Sequence, residues 1–94
     1  MARLGQVKGS LLVHLRGFIL RKHGEAAWKD VLERLPTADQ KVFEGLLMMG
    51  GWYSVGVWNR ALDRYLPTYF VDPMSAMMDL SAHIAREDLT TLTS

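Results

Sequence analysis

Apolar residues recur three or four positions apart along most of the chain, a spacing that places them on one face of a helix. The first such segment, residues 7–23, is followed by Gly24, a residue that commonly ends a helix. The second segment begins near Glu25 and stops before Pro36, which disfavours helical geometry in the residue before it. These boundaries predict two consecutive helices.

A third helix is predicted to begin at the sequence TADQ, which starts at Thr37. In such a capping box the Thr37 hydroxyl accepts a hydrogen bond from the Gln40 amide, and the Gln40 side chain reaches back to Thr37. The apolar spacing then continues to Leu47. Gly50 and Gly51 follow and predict a turn, because glycine adopts positive φ angles at no steric cost.

Two more helices are predicted from the residues that would cap their N-termini. Ser54 suits the N-cap of a fourth helix, which we expect to end at Pro67. Asp72 followed by Pro73 is a strong signal for the start of a fifth helix, since proline is favoured at the first helical position. The apolar spacing of this fifth helix indicates that it ends near Arg86.

The stretch MMGGWYSVGVW, residues 48–58, separates the third and fourth predicted helices. Its last seven residues, WYSVGVW, show the best alternation of apolar and polar positions in the chain, but the glycines and the serine disfavour a strand, which stays the less favoured alternative there. We therefore interpret it as a structural turn in which the aromatic residues pack against the helices. The residues assigned to this turn are Gly50, Gly51, Trp52, Tyr53 and Ser54.

The complete pattern predicts an all-α fold, a compact bundle of about five short helices. The chain has 94 residues, enough for one modest hydrophobic core and too few for two. We therefore expect a single helical domain over residues 1–94, with frayed ends at residues 1–6 and 90–94.

Composition narrows the class of protein further. The formal net charge is +1 and 49% of the residues are apolar, as expected of a globular protein. The absence of cysteine excludes disulfides and thiolate metal sites. The sequence has neither an apolar run long enough to span a membrane nor a clear secretory signal. We expect a soluble, cytoplasmic protein.

Candidate catalytic and metal-binding residues are few. The three histidines, His14, His23 and His83, do not pair at the spacing of a helical zinc site. No serine lies in a nucleophile elbow, and the adjacent Glu87 and Asp88 would point in different directions on a helix. The sequence therefore predicts a protein that is not an enzyme and that holds no metal or cofactor.

Basic residues are concentrated before Glu25, where no acidic residue occurs. They spread around the first predicted helix, and we expect acids of the second helix to neutralise them. A helix-turn-helix made of the third and fourth helices is a further hypothesis, supported by Arg60 and Arg64 but interrupted by Asp63. Nucleic acid is therefore not the expected partner.

Apolar residues outside the main faces of the first and fifth helices indicate a surface for a protein partner or a second copy of the chain. Methionine suits adaptable binding surfaces, although it also fills gaps in cores. The predicted partner-binding residues are Val13, Leu20, Met74, Met77 and Met78.

Three stretches also resemble a known family. VKGSLLVHL, HGEAAWKDVLERLP and GGWYSVGVWNRALDRYL are similar to the N-terminal region of an uncharacterised paralogous family abundant in myxobacteria. The resemblance covers roughly residues 6–89, although the family usually has proline where this chain has Ser54. The family is remotely similar to the helical N-terminal part of haem-based nitric oxide and oxygen sensor domains. It implies no haem-ligand histidine here, because no position of this chain matches one.

The leading functional hypothesis is a non-enzymatic helical module in regulation or signalling that binds a partner protein or associates with itself. The alternative is a fragment of a small-molecule sensor for haem or an apolar ligand. In that alternative the pocket would be lined by Phe18, Trp28 and Trp58.

Overall fold

A computed structural model describes residues 5–93, with side chains described for residues 5–87. Five helices form, and the predicted all-α bundle is confirmed. In chain order the elements are β1 (Gln6–Lys8), α1 (Gly9–His23), α2 (Glu25–Glu33), α3 (Thr37–Glu44), β2 (Trp52–Ser54), α4 (Val55–Tyr69) and α5 (Pro73–Thr93).

The first helix ends as predicted but begins two residues later than the apolar spacing indicated. Gly24 has a φ of 89°, and its N–H donates to the carbonyls of Ile19 and Leu20. Val7 belongs instead to β1, which pairs antiparallel with β2 so that Val7 lies opposite Tyr53. At residues 52–54 the less favoured alternative, a strand, is the one that forms, so the preference for a turn there was wrong; β1 was not predicted. Each strand has only three residues, too few to show an alternating pattern.

The capping box predicted at Thr37 does not form. Thr37 is the first residue of α3, and the Pro36 carbonyl accepts from the amides of Asp39 and Gln40. The Gln40 side chain does reach back, but its amide donates to the Leu35 carbonyl at 2.9 Å. The helix ends at Glu44 rather than at residue 47 because the next residue has extended backbone geometry.

The fourth helix does not stop at Pro67. It continues to Tyr69, with Pro67 in its last turns. A proline there removes a single N–H donor and its φ angle is compatible with a helix, so the last turn can still form. The N–H of Phe70 then donates to the carbonyl of Leu66 at 3.1 Å.

The fifth helix begins where predicted and ends later. The Ser75 amide lies 3.4 Å from a carboxylate oxygen of Asp72, and the helix runs from Pro73 to Thr93. The fraying expected at residues 1–6 and 90–94 stays a prediction; Gln6 belongs to β1, and residues 90–93 belong to α5. Residues 1–4 and 94 lie outside the described part.

The core lies between α1 and the helices around it. Leu12, Leu15 and Ile19 of α1 are completely buried, as are Val31, Tyr65 and Leu80 of three other helices. Three completely buried apolar side chains make α1 the central element of the bundle. Removing such apolar area from water is the main favourable contribution to folding. None of the helices, over the residues described, is long and apolar enough to cross a membrane.

Candidate functional site

The glycine-rich turn supports the fold by close packing. Neither Gly50 nor Gly51 has a positive φ angle, so the predicted reason for these glycines was wrong. At Gly51 a Cβ atom would lie 3.1 Å from the Tyr53 ring, and its carbonyl accepts from the Gly9 amide at 2.8 Å. The Tyr53 hydroxyl accepts from the Met48 amide at 3.0 Å, which closes the turn onto itself.

The aromatic residue beside Tyr53 packs in a different way. Trp52 is half-buried, and the ammonium group of Lys8 lies 5.6 Å from the centre of its ring. Ser54 acts as predicted, since its hydroxyl accepts a hydrogen bond from the Gly56 amide at the start of α4. These contacts attach the start of α4 to the start of α1 and give the turn a structural role.

The five predicted partner-binding residues differ in exposure. Met74 and Met78 are 74% and 69% exposed, and Leu20 is 37% exposed. Val13 is half-buried, and Met77 packs against the core. Met77 therefore contributes to the interior of the protein, and the largest exposed side chains of the set belong to α5.

Helix α5 has a buried face and an exposed face on opposite sides. Ala76, Leu80 and His83 are buried against the rest of the bundle. Residues three or four positions apart share a helix face, so the exposed residues opposite them form one row. This row, called the outer face of α5, consists of Met74, Met78, Ser81, Ala82 and Ala85.

A belt of aromatic rings connects α1, α4 and α5. It passes from His14 through His83, Phe18 and Tyr65 to His23, with ring centres 5.5–6.4 Å apart. His23 Nδ1 and the Tyr65 hydroxyl share a hydrogen bond of 2.8 Å. Burial raises the pKa of the Tyr65 hydroxyl, which therefore keeps its proton at neutral pH and does not act as a base.

Beside this belt, a cavity of about 260 Å³ opens between α1 and α5. It is called the α1–α5 cleft and is lined by Phe18, Arg21, Lys22, His83 and Arg86. Burial lowers the pKa of His83, and the positive charge of Arg21 lowers it further. His83 is therefore neutral at pH 7, and the positive charge of the cleft comes from its other basic residues.

A second cavity, of about 280 Å³, lies beside the first turn of α5 and is lined by residues 59, 62, 63, 66, 67 and 73. Neither of these two cavities joins the three aromatic residues of the predicted ligand pocket. Phe18 lines the α1–α5 cleft, whereas Trp28 packs edge-on against Phe43 at 5.1 Å. Trp58 is half-buried against the core.

The basic residues of α1 meet different acids from those predicted. Arg21 lies 3.7 Å from Glu87, and Lys22 lies 3.8 Å from Asp79. Both acids belong to α5 rather than to α2, because α5 packs directly against this side of α1. Arg16 instead donates to the Phe43 carbonyl at 3.2 Å.

The two arginines of the hypothetical DNA-reading helix are engaged within the molecule. Arg60 makes two hydrogen bonds to Asp39, and Arg64 donates to Asp63 at 2.9 Å. Arg64 also approaches the Arg34 carbonyl at 3.4 Å. A basic recognition face would have to break these contacts before it reached phosphate groups.

Side chains that bind metal ions do not converge in the described part of the chain. No group of three or more histidine, aspartate or glutamate side chains there could hold a metal ion. The sequence did not predict the α1–α5 cleft, although Arg21 and Lys22 are among the basic residues that precede Glu25. His83 and Arg86 lie three residues apart on α5, but only the packing of the two helices brings them to Phe18.

Comparison with known proteins adds no family. No family model, no curated protein and no solved structure matches this chain. The resemblance to the myxobacterial family remains a prediction from the quoted stretches.

Proposed function

We propose that this protein is a non-enzymatic interaction module that associates with a second copy of itself through the outer face of α5. The observation that supports the proposal most directly is the exposure of Met74 and Met78, 74% and 69%, on the side of α5 opposite the core. Burial of a methionine side chain contributes roughly 1.5–3 kcal/mol. A module of this kind fits a role in regulation or signalling.

The sizes of the side chains along the outer face favour a second copy as the partner. Consider two antiparallel α5 helices related by a twofold axis near the level of Leu80. Met74 of each copy then lies opposite Ala85 of the other, and Met78 lies opposite Ala82. A large residue facing a small one lets two helices approach closely, and a twofold axis forms every such contact twice.

The one polar residue in the row does not oppose this packing. The Ser81 hydroxyl donates to the Met77 carbonyl of its own helix at 2.9 Å. The hydroxyl hydrogen of Ser81 therefore already has an acceptor within its own helix, and burying this side chain in a dimer costs little free energy. The outer face can lose water without leaving a polar hydrogen unpaired.

The proposal is tested by light scattering on size-exclusion peaks over a range of protein concentrations. We expect the wild-type chain to dimerise and Met78→Glu to remain a monomer, because a buried carboxylate without a partner is unfavourable. The matched control is Leu46→Glu, which places the same charge on a residue that is 87% exposed in the segment between α3 and β2. This control should dimerise like the wild type.

Two results would contradict the proposal. A wild-type chain that is monomeric at every concentration would exclude self-association, and an equal effect of both variants would show that the outer face is not specific. Leu20→Glu tests whether α1 contributes. Weaker association with unchanged helix content would extend the contact to α1, unchanged association would confine it to the outer face of α5, and unfolding would show that Leu20 belongs to the core.

A further inference from the structure

We infer that the α1–α5 cleft binds a small organic anion, with its acidic group held by Arg21, Lys22 and Arg86 and its apolar part against Phe18. This inference concerns a different surface from the outer face of α5. It assigns the chain a ligand as well as a protein partner.

The charge of the cleft is the first support. Three of the five lining residues are cationic and none is acidic. Guanidinium groups form charge-assisted hydrogen bonds with carboxylates, sulfonates and phosphates that are roughly twice as strong as neutral ones. A negatively charged group is therefore the ligand chemistry that this rim favours.

The acids near the rim hold the cations in position and do not fill the cleft. Arg21 approaches Glu87 at 3.7 Å with side chains that are 72% and 36% exposed. Lys22 approaches Asp79 at 3.8 Å, again with both side chains exposed to solvent. Such exposed pairs contribute only about 0–1 kcal/mol, so an anion can compete with them for the cations.

The floor of the cleft explains why the ligand should also have an apolar part. Phe18 and His83 are buried, with exposed fractions of 7% and 5%, and their rings meet edge to face at 5.5 Å. Only a small part of this aromatic surface is in contact with water, and the Lys22 ammonium lies 5.7 Å from the centre of the Phe18 ring. An apolar group placed there removes mainly its own surface from water, together with the small exposed part of the two rings.

The volume limits the size of the ligand. A cavity of about 150 Å³ lined by apolar residues is large enough to bind benzene. The cleft, at about 260 Å³, has room for one ring or a short chain together with an acidic group. Haem is much larger than this volume, so the cleft favours a ligand class different from the haem of the sensor hypothesis.

The inference is tested by NMR on the ¹⁵N-labelled chain, titrated with sodium 3-phenylpropionate. We expect progressive shifts of amide signals concentrated at residues 18–22 and 83–86. Two probes separate the contributions: 3-phenylpropanamide keeps the ring without the charge, and sodium propionate keeps the charge without the ring. Both should bind more weakly than 3-phenylpropionate by roughly three- to tenfold.

The variant Arg86→Gln removes one cation from the cleft and should weaken binding of 3-phenylpropionate by roughly three- to tenfold. The control is Arg64→Gln, which removes an equal charge from α4, outside the lining residues, and should bind like the wild type. The spectrum of each variant also reports whether it is folded. If Arg86→Gln does not fold, Lys22→Gln replaces it, since Lys22 is at the end of α1 and 44% exposed.

Three results would overturn the inference: shifts scattered over the whole protein, equal binding of the neutral amide, or unchanged binding in the cleft variant. The titration is repeated with Met78→Glu. That variant changes only the outer face of α5. If it still binds 3-phenylpropionate, the cleft acts independently of any dimer. Failure of self-association and failure of anion binding are thus separate outcomes.

Discussion

Arg60 and Asp39 connect α4 to α3 through two hydrogen bonds, from Nε to Oδ2 at 2.5 Å and from Nη2 to Oδ1 at 2.9 Å. The carboxylate is almost completely buried, with its side chain 4% exposed, whereas the guanidinium side chain is 41% exposed. The hydrogen bonds to Asp39 raise the pKa of Arg60. Asp39 therefore depends on Arg60 to compensate its buried charge, whereas Arg60 can also be solvated by water.

This asymmetry predicts a different cost for each substitution. Arg60→Met leaves a buried carboxylate without its partner and should lower the melting temperature by roughly 5 °C or more. Asp39→Ala should cost less, because the Arg60 guanidinium is still accessible to water. The measurement is thermal unfolding followed by circular dichroism, with Arg64→Gln as a control that changes an exposed pair. A larger loss in Asp39→Ala would show that the burial argument is wrong.

Two glycines of α1 should respond to alanine in opposite directions. A Cβ atom at Gly9 would lie 1.9 Å from the Met48 carbonyl oxygen and 2.9 Å from the Tyr53 ring. Since the first atom is backbone, the turn would have to move, and we expect a loss of about 1–3 kcal/mol. At Gly17 a Cβ atom meets nothing within 4 Å.

Gly17→Ala is therefore the matched control, in the same helix and with the same added methyl group. It should raise the free energy of unfolding by roughly 0.5–1 kcal/mol, because alanine loses less backbone entropy in a helix than glycine does. Urea unfolding of both variants measures the difference. Equal effects would mean that the close approach of Met48 to Gly9 is not part of the folded structure.

Ser54 and Thr37 test which helix caps the chain uses. The Ser54 hydroxyl accepts from the Gly56 amide at 3.2 Å, so Ser54→Ala should cost about 1 kcal/mol of the free energy of unfolding. No side chain caps the start of α3, so Thr37→Ala should change the stability little. The two variants are compared by urea unfolding. A similar loss of stability in both variants would indicate that Thr37 does cap α3, as the sequence predicted.

His83 makes stability depend on pH in a definite direction. Its pKa in the folded protein is lowered below the ordinary value of 6.5, first by burial and then by Arg21. The unfolded chain therefore takes up this proton first as the pH falls below about 6.5, and the folded state loses stability until the pH passes the folded pKa. The charged and titratable groups that act on His83 are Arg21 and His14 of α1 and Arg86 and Glu87 of α5.

The measurement is the melting temperature of the wild type and of His83→Gln between about pH 7.5 and pH 5. The wild type should lose more stability over this interval than the variant does. All other titratable groups are the same in both proteins, so the difference between the two slopes isolates His83. Parallel slopes would contradict the lowered pKa.

The sequence by itself determined the helical segments and several of their ends. Helical spacing of apolar residues is a local property, and so are the signals at Gly24, Ser54 and Asp72, because each acts on residues within one turn of it. The class of fold was therefore predictable. Local rules were less reliable at Thr37 and at Pro67. At Thr37 the Pro36 carbonyl, not the threonine hydroxyl, accepts the first amide hydrogen bonds, and at Pro67 the helix α4 continues to Tyr69.

Only the tertiary structure decided which residues from distant parts of the chain meet. The pairing of Val7 with Tyr53, the ion pairs from α1 to α5 and the lining of the α1–α5 cleft each join positions more than forty residues apart. A helix with apolar residues on two sides, such as α1, can face its neighbours in several orientations. The sum of the packing contacts selects one orientation, and this sum is not a property of any short stretch of sequence.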